Sequence, residues 1–288
     1  MKKQKKVRKI FGGLVKLPED KRDIKYEKVF GAIKLPTEDF IVAEPLEIKD
    51  QRDTDKCTAY AVCAGSEPQE ETLLDPDWQF AQIKRLTGEY TSWGADLRSA
   101  CKSGQDYGSI EKSKVLTPKV DEGELRNWKH WDLVNEINAK FHKKQTYLSI
   151  KGNNTFNAIR QALWNGREKK QLVMTGMLWR PEWTSAAKGI IPEDYLEDRG
   201  FGHAFVFIGQ KNIDGKLYLV TQLSNGKEIG DKGLFYFSEK VVNKEAVYGN
   251  FVFVDVSKEV AQIYNETKWR WVAILKVLFR KILKYDTH

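Results

Sequence analysis

Cysteine is scarce: the 288 residues hold only Cys57, Cys63 and Cys101, which cannot all pair and do not form a disulfide framework. That scarcity points to a reducing compartment and leaves each thiol to be explained singly. Histidine is almost as rare, with four copies. No Cys/His spacing suggests a zinc site, so neither a metal nor another cofactor is expected. The N-terminus has no apolar secretory core, because Met1-Lys-Lys-Gln-Lys-Lys-Val-Arg-Lys9 runs directly into Ile10-Phe-Gly-Gly13. No apolar stretch approaches the ~20 residues of a membrane span, and internal repeats are absent.

The net charge of +8 is misleading about partners. Residues 1–9 carry six of the 48 Lys/Arg, and residues 268–288 carry six more against one Asp, so the body between holds 36 basic and 39 acidic side chains. Basicity therefore belongs to the tails, and a nucleic-acid face on the body is not expected. With 41% apolar and 12% aromatic residues, the chain is rich enough to bury a full core.

The first 50 residues, with Pro18, Pro36 and Pro45, read as an extended arm. Apolar spacing then predicts helices over Cys57–Glu70, Asp77–Leu86, Ala95–Asp106, Glu124–Phe141 and Thr155–Trp164, the last closed by Gly166. Beyond this the period falls to two. Strands are predicted at Gln171–Trp179, His203–Gly209, Leu217–Gln222, Leu234–Phe237 and Asn250–Val256, with turn signals at Asp214-Gly215 and Asn225-Gly226. Helices first and strands second predict an α+β fold of two lobes facing across a cleft. The expected divisions are a basic arm at 1–23, a domain at 24–258 with a helical lobe near 51–150 and a β lobe near 167–258, and a basic amphipathic helix at 259–288. In that last segment Trp271, Leu275, Leu278, Ile282 and Tyr285 form an apolar stripe. It suits packing on its own domain, a protein partner or a membrane surface.

Cys57 concentrates the chemistry. Asp53, Thr54 and Asp55 are good caps for a helix starting near Lys56. A sulfur at that helix start has its thiolate favoured by the dipole. Gln51, six residues upstream, offers a side-chain N–H to a developing oxyanion. Among the histidines, His130 and His142 sit in polar segments and His288 ends the chain. His203 opens the apolar run Ala204-Phe-Val-Phe-Ile-Gly209, at the mouth of a strand facing the cleft, and is the candidate general base. A cysteine at a helix start is otherwise a structural residue; Cys63 and Cys101, each within a predicted helix, are read as buried packing residues.

Taken together, Gln51-x5-Cys57-x-Ala-Tyr-Ala61, Gly202-His-Ala204 before an apolar strand, and Ser224-x-Gly226-x3-Gly230-Asp-x-Gly233-x-Phe235 resemble the papain-like (C1) cysteine peptidases. The likeness runs from about Ile24 to Val256 and is nearest to compact bacterial and phage members. It implies a two-lobed papain-like fold, Cys57 as nucleophile, His203 as base and then acid, and Gln51 with the Cys57 amide as oxyanion donors. Gly94, with Ala95, would meet substrate backbone as an added strand, and Trp93, Tyr107 and Trp179 are candidates for the lining of the specificity pocket. The implied partner is a polypeptide substrate, and the implied location cytoplasmic or virion-associated. Two departures stand out. Thr58 replaces the usual tryptophan, and Leu223-Ser-Asn225-Gly226 replaces Asn-Ser-Trp-Gly. Leu223 thus falls where an Asn should orient the imidazole; Asn225 is either its displaced substitute or a plain turn residue, and Gln222 faces the other side. The 56 residues before Cys57 are too few for the family's usual helical prosegment. That leaves the Phe11–Asp23 arm, lying over the cleft, as an expected means of control. The implied activity is thiol-dependent peptide hydrolysis. The alternatives are an inactive binding or structural module, possibly phage-associated, and a papain-fold amidase or acyltransferase.

Overall fold

The structure, a computed structural model, describes residues 12–16, 18–92, 94–196 and 199–256. The apolar stripe at 268–285, both basic ends and Trp93 lie outside the described residues.

A short helix α1 (Tyr26–Phe30) and strand β1 (Phe40–Ile41) interrupt the expected arm. Then come α2 (Cys57–Glu70), α3 (Pro76–Thr87), α4 (Leu97–Asp106) and α5 (Leu133–Ala139). The second half runs β2 (Thr146–Ser149), α6 (Thr155–Gly166), β3 (Val173–Trp179), β4 (Phe201–Ile213), β5 (Lys216–Gln222), β6 (Leu234–Ser238), α7 (Glu239–Glu245) and β7 (Asn250–Val254). The fold is α+β, with the strands in an antiparallel sheet of order β2-β7-β3-β4-β5-β6. β3 covers one edge of β4 only up to Phe207, and β1 takes over that edge at Gly209 and Gln210.

Local chemistry accounts for most boundaries. Asp75 and Asp96 accept the N–H groups of Trp78 and Ser99 at 2.7 Å, opening α3 and α4, while Gly88 at φ +73° closes α3. The expected single helix over Glu124–Phe141 does not form. Asn127 accepts from the Lys129 amide and Asp132 from the Val134 amide, so each polar side chain restarts the chain. Two 3-10 turns, Glu124–Arg126 and Trp128–His130, therefore precede a seven-residue α5.

The sheet divides the core. On one face Ile24–Val29, α6 and α7 pack with Trp179, Trp183, Phe205, Phe207, Phe235 and Phe237. Against the other lies α2, whose Ala59, Ala61, Val62, Ala64 and Gly65 are small enough to be enclosed from nearly every side. A third cluster, centred on Trp78 and Trp131, ties α3 to the 3-10 turns. Close packing all round fixes the first residue of α2, Cys57, at the junction between the helical layer and the sheet.

Candidate active site

The sulfur of Cys57 is fully buried at the start of α2. The expected caps serve other purposes. Lys56 takes the N-cap position without a side-chain capping bond, Thr54 donates its hydroxyl to Gln51 O at 2.6 Å, and Asp55 Oδ2 accepts the Gly94 amide at 2.5 Å. Burial pushes the Cys57 thiol up to about 11, against the pull of backbone hydrogen bonds from Ala204, Gly13 and Thr58 and with a smaller push from the Asp55 carboxylate. In this state the helix start does not favour the thiolate expected from its position.

His203, on β4, is brought to the same place: the residue after it, Ala204, supplies one of the backbone hydrogen bonds to the thiol. The imidazole is fully buried between Trp179 and Phe205, with ring centroids at 5.9 and 6.0 Å. Burial holds it down to about 4, with the Asn225 side chain pulling the other way. The Asn225 amide is thus near enough to favour the imidazolium. Among the described residues, however, neither ring nitrogen of His203 has a hydrogen-bond partner, and Asn225 Oδ1 has none either. Leu223 points into the aromatic core and offers nothing polar.

Gln51 stands across from this turn. Its amide N–H donates to Ser224 O at 2.7 Å, its Oε1 accepts from Ser224 Oγ at 2.5 Å, and its Nε2 donates to Thr54 O at 2.7 Å. The Asp50–Asn225 bridge and the Gly226 N–H to Lys49 O bond extend the pairing. Gln51 is therefore paired with Ser224, next in the chain to Asn225, whose side chain bears on His203. The serine link was not foreseen, although Ser224 lay in the motif.

The cleft is occupied by the chain itself. The Gly13 N–H donates to Cys57 Sγ at 3.3 Å. Gly13 O accepts the Ala95 amide at 2.7 Å, the Val15 amide donates to Ala95 O at 2.9 Å, and the Leu14 amide donates to Gly202 O at 3.2 Å. Residues 13–15 thus run as a strand parallel to the Gly94-Ala95 edge. The approach leaves no room for side chains: a Cβ on Gly13 would meet Asp55 O at 1.7 Å, and one on Gly94, whose φ is +76°, would meet Gly13 O at 2.0 Å. Leu14 lodges its side chain beside Gly176, Gly202 and Tyr248 and is buried. Behind it, a cavity of about 420 Å³ separates the arm from the body, lined in part by Lys16, Asp20, Arg98, Tyr248 and Asn250. The root of the arm is pinned by Arg98, which donates to both oxygens of Asp23 at 2.8–3.1 Å and to Pro18 O at 3.2 Å.

The Gly94 edge has an unexpected support. Lys84 is buried, yet its Nζ donates to Ser92 O and Ser92 Oγ at 3.0 Å and to Gly94 O. Burial lowers the Lys84 ammonium below its ordinary value, and the Asp55 carboxylate opposes that shift. A lysine on a helix face reads in sequence as solvated, so nothing announced this role. Two pocket candidates are placed elsewhere. Trp179 lies in the core against Trp183, Phe235 and Phe237, and Tyr107 sits at the end of α4 under the Arg85 guanidinium. Among the described residues no three His, Cys, Asp or Glu side chains are grouped to hold a metal ion, and no helix is long and apolar enough to cross a membrane.

The chain matches no family model, and a search of curated proteins finds no match. Solved structures do match. The chain is similar to xylellain, a cysteine protease from Xylella fastidiosa, with a TM-score of 0.69 and 17% identity, over 86% of this chain and 97% of that one. The fold is papain-like. Similar papain-like structures include procathepsin L2 proteinase from Tenebrio molitor larval midgut (TM-score 0.61, 16% identity, 86% of this chain and 78% of that one). Another is procathepsin B S9 from Trypanosoma congolense (TM-score 0.58, 12% identity, 84% and 85%). In the papain-like layout of this chain, Cys57 and His203 occupy the junction of helix α2 and strand β4.

Proposed function

We propose that the chain is a thiol-dependent peptidase whose cleft is closed by its own residues 12–16. One observation carries the reading: an extended polypeptide backbone lies against the Cys57 sulfur, paired with Ala95 as a strand. A site that holds backbone in that register beside a thiol and an imidazole suits peptide hydrolysis. His203 would take the Cys57 proton, and the thiolate would attack the carbonyl carbon to form an S–C bond. Gln51 Nε2 and the Cys57 amide would face the new oxyanion. Collapse would break the C–N bond as the imidazolium protonates the departing amine. Water, deprotonated by His203, would then release the acid and regenerate the thiol.

A non-catalytic papain-fold module is the second reading, favoured by the unpartnered His203 nitrogens and by Leu223 in the core. An epoxide or iodoacetamide probe separates the two. On the peptidase reading it labels Cys57 far faster than Cys63 or Cys101 once the arm is displaced, and His203→Ala slows that labelling. Equal, slow labelling of the three cysteines supports the module.

A further inference from the structure

Helix α3 turns Trp78, Gln82 and Arg85, four and then three residues apart, to one side. There they line a pocket of about 210 Å³, completed by Asp106 and Tyr107 at the end of α4 and by Glu136, Lys140 and Lys143 at and just beyond α5. It shares no lining residue with the Cys57 and His203 site.

Two donors in this wall are unsatisfied. The indole Nε1 of Trp78 and the side-chain Nε2 of Gln82 are buried with no hydrogen-bond partner among the described residues. Both side chains are at most 1% exposed. Each nitrogen can only donate, so what each lacks is an acceptor. The oxygen end of Gln82 is already taken, since it accepts from Arg85 Nη1 at 3.4 Å.

The charges around the pocket select the kind of acceptor. Its two carboxylates are both engaged, Glu136 with Arg85 at 3.0 Å and Asp106 with Lys102. Lys140 and Lys143 have no carboxylate partner among the described residues. The Arg85 guanidinium is held in place over two rings, 4.6 Å from the Tyr107 centroid and 3.9 Å from that of Trp128. Water could satisfy one such donor, but two unsatisfied donors in a pocket with an excess of positive charge favour an acceptor that carries negative charge. The volume is below the ~300–1,000 Å³ of sites for drug-sized molecules, so the anion is small.

We propose that this pocket binds a small oxyanion, a carboxylate or a phosphate. Trp78 Nε1 and Gln82 Nε2 donate to its oxygens, and Lys140 and Lys143 supply the countercharge.

The test follows the Trp78 indole N–H and the Gln82 side-chain amide by NMR in the full chain labelled with nitrogen-15. Sodium phosphate or sodium acetate replaces sodium chloride at constant pH and ionic strength, and Trp78→Phe identifies the indole signal among the nine tryptophans. Both signals should move downfield and saturate with one shared dissociation constant. Saturation by phosphate alone assigns the pocket to a tetrahedral ion, and saturation by acetate includes carboxylates. Lys140→Gln with Lys143→Gln, at two exposed positions, should raise that constant about tenfold, or ~1.4 kcal/mol. Gln82→Met, which keeps the length of the side chain and removes the donor, should raise it by a similar factor. The lysine variant decides by itself if Gln82→Met does not fold. Signals that stay still, or that drift linearly with both salts, overturn the proposal. A dissociation constant unchanged by the lysine substitutions places the ion elsewhere and overturns it as well.

Discussion

Leu14→Ala should switch on the reactivity of Cys57 without unfolding the protein. Leu14 is buried although it belongs to a strand that only lies on the body, and its side chain fills the recess beside Gly176, Gly202 and Tyr248. Burying a leucine contributes ~1.5–3 kcal/mol, so its truncation should weaken docking of the arm by about 2 kcal/mol. At ~1.4 kcal/mol per tenfold, the open population rises about thirtyfold. Only the open state exposes the thiol, because Cys57 is fully covered when Gly13 is in place. The alkylation rate should therefore follow the open population. Gly13→Val should act at least as strongly, since its Cβ would lie 1.7 Å from Asp55 O and the arm could not seat.

The assay is iodoacetamide labelling near neutral pH, read cysteine by cysteine through peptide mass spectrometry. Cys63 and Cys101, fully buried in the interior of α2 and α4, are internal references. The expected result is a rise of about thirtyfold at Cys57 alone, with melting nearly unchanged. An unchanged Cys57 rate in both variants would refute the claim that the arm limits access. A parallel rise at all three cysteines would show global opening instead.

In the Leu14→Ala background, Lys84→Met should raise the KM for extended peptides about tenfold while kcat holds, because it unties the Ser92 and Gly94 carbonyls and leaves buried acceptors worth ~1–3 kcal/mol each. Steady-state kinetics on a hexapeptide series checks this; a fall confined to kcat would count against it. Asn225→Ala should lower kcat/KM at least about tenfold by removing the amide nearest the imidazole. Leu223→Asn should not compensate, since it buries an amide in the aromatic core at a cost of about 1–3 kcal/mol, measurable as a lower denaturation midpoint. Stability should also fall in acid. His203 is held at about 4 against 6.5, so between those values the unfolded chain takes a proton that the folded chain refuses. The loss should reach about 2–3 kcal/mol near pH 4.5, and denaturant melts of His203→Gln should lack that portion.

The sequence marks the candidate residues more plainly than the scaffolding around them. Cys57, Gln51 and His203 stood out as candidates because reactive side chains are rare and their neighbours are distinctive; helix α2 and the strands followed from period. Residues with two possible uses were not legible. Asp55 reads as a cap and instead holds Gly94, Asn127 and Asp132 read as helix interior and restart the chain, and Lys84 reads as solvated and is buried. β3 is buried on both faces along most of its length, so alternation was unable to tell whether Trp179 faced the cleft or the core. Asp55 and Lys84 depend on partners farther along the chain, at Gly94 and at Ser92 and Gly94, whereas Asn127 and Asp132 turn to amides only two residues on.

The two members of the candidate pair are insulated by different parts of the fold, and this separates what the arm controls from what it does not. Cys57 is covered by Gly13, so displacement of the arm removes both a donor that favours the thiolate and the burial that opposes it. Burial is the larger of the two, and the thiol should therefore titrate well below about 11 when the arm is off. His203 is enclosed by Trp179 and Phe205, which belong to the core and stay in place. Its acid limb should not move. The pH profile of Cys57 alkylation in Gly13→Val should accordingly show a lowered upper inflection and an unchanged lower one. Should both inflections shift together, the arm would be acting on the imidazole as well, and the division of labour between arm and core would fail.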